Sequence, residues 1–340
     1  MLQNVELILT LFLVFYILIL LFDFTTIILN KISKYLNKRR RKHLLNIINM
    51  HNKHLIIGTL SNIKYLYILN DLIDEKYKIN KKISVVDYLN NNKNIINKLS
   101  KYYYRKGDLA RSYYSYTLSK IDLPKKSEDF IFHMLTTKSV YCVENSLKVL
   151  YNTGNVDLII KAYEILSKNK SMYHSKLITD GMMEFKGDKK LLAQELYKDF
   201  SNFSTQCKIG FINYFRNIKY NISDDLVNNL EKNSYSKELE ISMIRYFTKV
   251  KNRKAYKLFV QRLEDNYYED AEYDIVMIQT LANSKNKKTI EILTEKLEDN
   301  NYYIRYNACI SLTKITDITK IKTSDEYAKD MIKYVIDLRR

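Results

Sequence analysis

Apolar residues recur along most of this chain at intervals of 4, 4 and 3. The full register is found at Ile304, Ala308, Leu312 and Ile315, at Leu239, Met243, Phe247 and Val250, at Cys207, Phe211, Phe215 and Ile218, and at Ala110, Tyr114, Leu118 and Ile121. Such spacing places four apolar groups on one face of an α-helix. Shorter copies fall at Tyr273, Met277 and Leu281, at Val143, Leu147 and Leu150, and at Leu177, Gly181 and Phe185. A second helical stretch precedes each, as KKTIEILTEKLED precedes the last and RKAYKLFVQRLED its neighbour, so the predicted unit is a helical hairpin. LEDN at 297–300 and 263–266, and LEKN at 230–233, stand 34 and 33 residues apart, the mark of a repeat. A lone hairpin cannot bury its stripe, whereas stacked hairpins share a continuous core; the pattern therefore predicts an all-α, right-handed α-solenoid. Repeats are expected over 91–323, a divergent first repeat over 43–90, and a capping helix over 324–340, with Ser324 as its N-cap and Arg339 and Arg340 in its last turn.

The first thirty residues follow another pattern. Val5 to Leu29 is apolar apart from Glu6, Asp23 and a few threonines, and about 20 such residues in a helix span a bilayer core. No basic residue precedes the run and no small-x-small site follows it, so an uncleaved transmembrane anchor over 1–30 is expected rather than a signal peptide. A basic segment over 31–42 comes next: Lys31, Lys34, Lys38, Arg39, Arg40, Arg41 and Lys42, without an acid. Basic flanks stay cytoplasmic, which predicts a single-pass protein of the cell membrane with its N-terminus outside and the solenoid in the cytoplasm. The same cluster suits anionic lipid headgroups. NKRRRK also fits a nucleic-acid contact, but beside a span it reads first as a topology signal. Asp23, near the cytoplasmic end, snorkels to the interface or meets a partner.

Composition narrows the chemistry. One proline and six glycines leave few turn punctuators, in keeping with helices, and the abundance of Asn, Lys, Ile and Tyr follows AT-rich codons. Cys142, Cys207 and Cys309 lie far apart on apolar faces, with no CxxC, and are expected to be buried thiols. His51 and His54 share a helix face but lack the two further ligands of a zinc site. The acids of EDNYYEDAEYD (264–274) read as a solvated turn, or as a docking patch for a basic partner. YYYRKGDLARSYYSY (102–116) mixes tyrosine and base as single-strand nucleic-acid surfaces do, although half of its tyrosines fall on the apolar stripe. No phosphate-loop, dinucleotide, metalloprotease or serine-hydrolase motif occurs, so neither catalysis nor a cofactor is expected.

DNNYYIRYNACISLTKI (299–315) resembles the HEAT repeat, in which an Asp-containing turn leads to a hydrophobic-Arg pair and an Ala-rich second helix; VYCVENSLKVLYNTGN (140–155) is a degenerate copy. The resemblance implies that Asp299 and Arg305 make an inter-helix polar ladder and that Ala308 permits close packing. Solenoids of this kind bind proteins on the face lined by their second helices. Arg111, Lys148, Lys176, Lys208, Arg216, Arg245 and Arg305 are the candidate partner-binding residues on that face. The layout also resembles membrane-anchored bacterial HEAT-repeat accessory proteins of membrane glycosyltransferases, which implies a scaffold or regulatory subunit for an integral membrane enzyme making an extracellular polysaccharide. The alternatives are a nucleic-acid-binding HEAT-like solenoid, disfavoured by the anchor, and a HEAT-like maturation or lyase factor acting on a partner protein.

Overall fold

The computed structural model of the chain describes residues 2–79, 82–169, 173–232 and 235–338, with side chains from residue 12 onward. Glu6's side chain, Asn233 of the LEKN copy, and Arg339 and Arg340 lie outside these described residues. The protein is all-α, with 19 α-helices among the described residues and one two-stranded ribbon pairing Lys78 with Ser84. The chain divides into two compact units, residues 1–149 and 150–340.

The first unit holds α1 (Leu2–Asn49), α2 (Lys53–Leu60), α3 (Ile63–Asp74), α4 (Val85–Asn91), α5 (Lys93–Tyr103), α6 (Asp108–Leu118), α7 (Glu128–Met134) and most of α8 (Val140–Thr153). Helix α1 is long and apolar enough to cross a membrane: its apolar window has a mean hydropathy of 2.6 and none of it is buried. By length and composition it could be a membrane anchor or a signal sequence. It does not stop where the apolar run ends. The same helix continues through the basic segment until Leu44, Ile47 and Ile48 enter the core beside α2 and α3. Arg41 fastens this end: its guanidinium grips both carboxylate oxygens of Glu75, at 2.9 Å to Oε1, and lies 5.6 Å from the Tyr77 ring centre. That contact holds the Glu75 carboxyl below its ordinary range. Tyr103 and Tyr114 stack at 4.7 Å between centroids and are fully buried, whereas Tyr102 and Tyr104 of the same run stay partly exposed. Core packing therefore explains the first two tyrosines and not their neighbours.

The second unit holds α9 (Val156–Lys168), α10 (Ser175–Met183), α11 (Lys189–Lys198), α12 (Thr205–Ile218), α13 (Ser223–Lys232), α14 (Lys237–Tyr246), α15 (Arg253–Glu264), α16 (Ala271–Leu281), α17 (Lys287–Glu295), α18 (Tyr302–Ile315) and α19 (Glu326–Asp337). Helices two apart are neighbours: α10 packs on α12, α12 on α14, α14 on α16 and α16 on α18, while α9 meets α11, α13 meets α15 and α15 meets α17. The apolar register is what they bury. Ile304, Ala308, Leu312 and Ile315 are all in the core, as are Leu239, Met243 and Phe247, and Cys207, Phe211 and Phe215. Each large side chain of this kind contributes about 1.5–3 kcal/mol by leaving water. The leucines of LEDN and LEKN (Leu230, Leu263 and Leu297) are buried at the ends of the first helices, so the tetrapeptide marks one recurring structural position.

The asparagines that sequence reading put down to codon usage have local work. Asn155, Asn252, Asn286 and Asn301 are N-caps whose side-chain oxygens accept from backbone N–H groups two or three residues on. Each cap is worth about 1 kcal/mol over alanine. Gly154 (φ 66°) turns the chain after α8, and a Cβ on the facing Gly187 would stand 2.3 Å from the Gly154 carbonyl oxygen.

Three expectations need correction. Of the predicted Leu177, Gly181 and Phe185, Phe185 is buried, but in α10 the buried residues are Ser175, Ile178, Thr179 and Met182, because Gly181 instead receives the Tyr151 ring. The N-cap of α19 is Asp325, which accepts from the Ala328 N–H, rather than Ser324. The polar ladder at Arg305 uses the backbone carbonyl of Asp299, not its carboxylate, which accepts instead from the Asn301 N–H at 2.8 Å; the carboxylate paired with Arg305 is Asp325, at 2.8 Å.

Candidate partner-binding site

The second helices of the second unit leave one polar cleft of about 580 Å3, running across α10, α12 and α14. Three of the seven candidate residues meet there: Lys176 from α10, Arg216 from the last turn of α12 and Arg245 from α14. The sequence places them on equivalent exposed faces because α10, α12 and α14 pack in succession. Sequence reading did not pick out Lys237, Asp180 and Glu238, the other charged groups of the cleft, and it met Glu272 only as one of the acids of the 264–274 stretch. Their signal was available as polar positions on the same faces, but only the packing shows which of them meet.

Two floors support the cleft. Gly210 on α12 lies against α10, where its carbonyl accepts from the Thr179 hydroxyl at 3.0 Å and the absent side chain lets the helices approach. Gln206 accepts from the Ser175 N–H at 3.2 Å and so covers the start of α10.

The charges are unequally matched. Lys237 lies 3.1 Å from Glu272, and Arg245 3.4 Å from the same carboxylate. Lys237 also pairs with Asp270, and that hydrogen bond, followed by the one to Glu272, holds its ammonium pKa above the ordinary value while depressing that of Asp270. Arg216 differs. Its Nε is buried without a hydrogen-bond partner, and the residue makes no ion pair among the described residues. Burial, and then the charge of Arg245, push its pKa down. A guanidinium is most stable with its flat donor edge filled.

The remaining candidates are placed elsewhere. Lys208 is on α12 with its ammonium 5.9 Å from the Phe200 ring centre. Arg305 is held by the Asp299 carbonyl, by Asp325 and against the Tyr327 ring, which makes it part of the α18–α19 joint. Arg111 and Lys148 belong to the first unit: Arg111 pairs with Asp108 at 3.4 Å and donates to the Tyr104 carbonyl at 2.9 Å, while Lys148 is exposed on α8. In the basic segment Lys31, Lys34, Lys38, Arg39 and Lys42 are exposed, Arg40 donates to Asn37 at 3.0 Å, and Arg41 is committed to Glu75.

Cys142, Cys207 and Cys309 are all buried; burial pushes the Cys142 and Cys207 thiols up, away from the reactive thiolate form. Among the described residues no group of three His, Cys, Asp or Glu side chains gathers as a metal site would need. The acidic 264–274 stretch is divided by the fold: Glu264 lies 3.0 Å from Lys288, Asp270 caps α16, and Asp274 is buried beside Lys296. No protein-family model matches this chain, and no curated protein matches it. The fold itself is that of a protein of many packed helices with one long apolar N-terminal helix.

Proposed function

We propose that this protein is a membrane-anchored scaffold or regulatory subunit, an α-solenoid of HEAT-like hairpins facing the cytoplasm with its N-terminus outside, which binds a partner protein in the membrane. The observation that carries the reading is the cleft across α10, α12 and α14, where Lys176, Arg216 and Arg245 come together on the face formed by successive second helices. Stacked hairpins present extended surfaces of that kind, and binding is their usual use. A membrane glycosyltransferase making an extracellular polysaccharide is the partner that the layout favours. The nucleic-acid alternative fits the cleft less well, since Asp180, Glu238 and Glu272 would face the phosphates.

Crosslinking followed by affinity capture of the full-length protein from its membranes tests this reading. Recovery of a polytopic transferase is the expected result; recovery of lipids or nucleic acid alone would sink it.

The continuity of α1 supports an anchor over a signal sequence, because Arg41 and Leu44 join the apolar run to the folded body on one helix. Lys31 and Lys34 stand nearest the lipid headgroups, each worth about 1 kcal/mol there, whereas Arg41 is withdrawn by Glu75. Deleting residues 2–29 is expected to move essentially all of the protein from the carbonate-washed membrane pellet to the supernatant. Intact mass of the unmodified protein separates the two readings: a full-length chain is expected, and a chain starting near residue 30 would identify a cleaved signal instead.

A further inference from the structure

We infer that Arg216 is the receptor for a single carboxylate, an aspartate or glutamate side chain on an extended segment of the partner protein. This rests on the scaffold reading above and specifies what the cleft recognises.

The starting point is an energetic anomaly. A half-buried guanidinium with an unpartnered Nε, facing the like charge of Arg245, is a cost to the folded protein. The carbonyl end of α12 offsets part of that cost, since cations are favoured in the last turn of a helix. An incoming carboxylate offsets more, because it can meet the two terminal Nη donors end-on in the two-pronged geometry that arginine and carboxylate share, while Nε stays buried behind them. The nearby acids do not perform this service internally: Glu272 is taken by Lys237 and Arg245.

The surroundings select the ligand's charge. Lys237 and Arg245 are matched by Asp270 and Glu272, whereas Lys176 and Arg216 make no ion pair among the described residues, although the carboxylates of Asp180, Glu238 and Glu272 also line the cleft. One incoming carboxylate matches the Arg216 charge. A polyphosphate or nucleic-acid backbone would bring several charges against the three acids, and like-charge contact is strongly selective against wrong partners. The cleft crosses three helices and carries the half-buried side-chain amides of Gln206, Asn213 and Asn217, which suits a stretch of polypeptide rather than an isolated small acid.

The test uses the full-length protein in its own membranes, with a photo-crosslinking side chain at Asn213, one turn before Arg216 on α12. The expected adduct is a segment of a membrane protein that carries an Asp or Glu at the crosslinked stretch. Arg216→Gln is expected to lower the yield about tenfold, the loss of one charge-assisted contact, and Arg216→Lys to lower it less. Arg216→Gln should leave the melting temperature unchanged or higher, which separates loss of recognition from loss of fold. Arg216→Glu combined with Lys at the partner's acidic position should restore the yield. Adducts lacking an acid, adducts to nucleic acid or phospholipid, or a yield indifferent to Arg216→Gln would overturn the inference; if capture of the partner persisted in those cases, the scaffold reading would stand without it. Failure to capture any protein by any face would overturn both.

Discussion

Lys296→Ala is expected to destabilise the second unit by about 3–5 kcal/mol, the cost of stranding one member of a buried ion pair. The Lys296 and Asp274 side chains are only 9% and 8% exposed, with Nζ 3.5 Å from Oδ2. Lys296 also donates to Asn266 at 2.9 Å, so the ammonium ties α16 to the LEDN turn after α15 and to its own end of α17. Asp274 has nowhere else to turn. Its other oxygen lacks a hydrogen-bond partner, and burial already raises its pKa above the ordinary value against the opposing pull of Lys296. Without the ammonium that rise grows. The folded form then binds the proton more tightly than the unfolded form does, so the penalty is absent where both are protonated. It increases as pH climbs from 3.8, the ordinary aspartate value, through the raised folded one. Urea unfolding followed by circular dichroism at several pH values reads this directly. Lys296→Met with Asp274→Leu should recover most of the loss, because a well-packed apolar pair needs no charge compensation; equal instability of the single and double variants would show that packing, not charge, holds this joint.

Gly210→Val is expected to cost about 1–3 kcal/mol, the range for forcing extra atoms into a packed core. A Cβ at this position would lie 2.6 Å from Ile178 Cγ2, 2.8 Å from Ile178 Cβ and 3.1 Å from the Ser175 carbonyl oxygen. The Ile178 Cβ and the carbonyl cannot rotate away, so α10 must separate from α12. Leaving glycine gains something in helix propensity, less than about 1 kcal/mol, which the clash exceeds. The same separation widens the cleft between Lys176 and Arg216, so partner crosslinking at Asn213 should fall with stability. Gly210→Ala made together with Ile178→Ala should be milder than the sum of the two single changes, since contacting residues couple. Simple additivity in the unfolding midpoints would show that Gly210 is not the point of closest approach.

How far the sequence led differs from helix to helix, for physical reasons. Helix α18 was legible in full because Ile304, Ala308, Leu312 and Ile315 face one core and nothing interrupts their register. Helix α10 slipped by one position because Gly181 has no side chain to count, and its small size is what admits the Tyr151 ring. The capping asparagines carried a signal that composition alone obscured: each stands just before an apolar-periodic run, where a short oxygen-bearing side chain is most useful. At the candidate site, the polar positions Lys176, Arg216 and Arg245 could be read from periodicity. Which of them lacked a counter-charge could not, since Glu272 reaches Arg245 from 27 residues away, and Asp325 reaches Arg305 from 20. Periodicity fixes which way a side chain points, while pairing depends on how helices distant in sequence abut.

Helix α1 also sets a clearance. In the anchored topology, Leu44, the first buried residue of α1 among those described, stands fifteen residues beyond Leu29, about 22 Å at 1.5 Å per residue, and every described side chain between 12 and 39 is exposed. Headgroups occupy only about 5–7 Å of that height. In that topology roughly 15 Å of water would lie along the rod between the lipid surface and the first packed layer. The rod acts as a ruler. Adding or removing two turns would change that clearance by about 11 Å while leaving every packed residue in place.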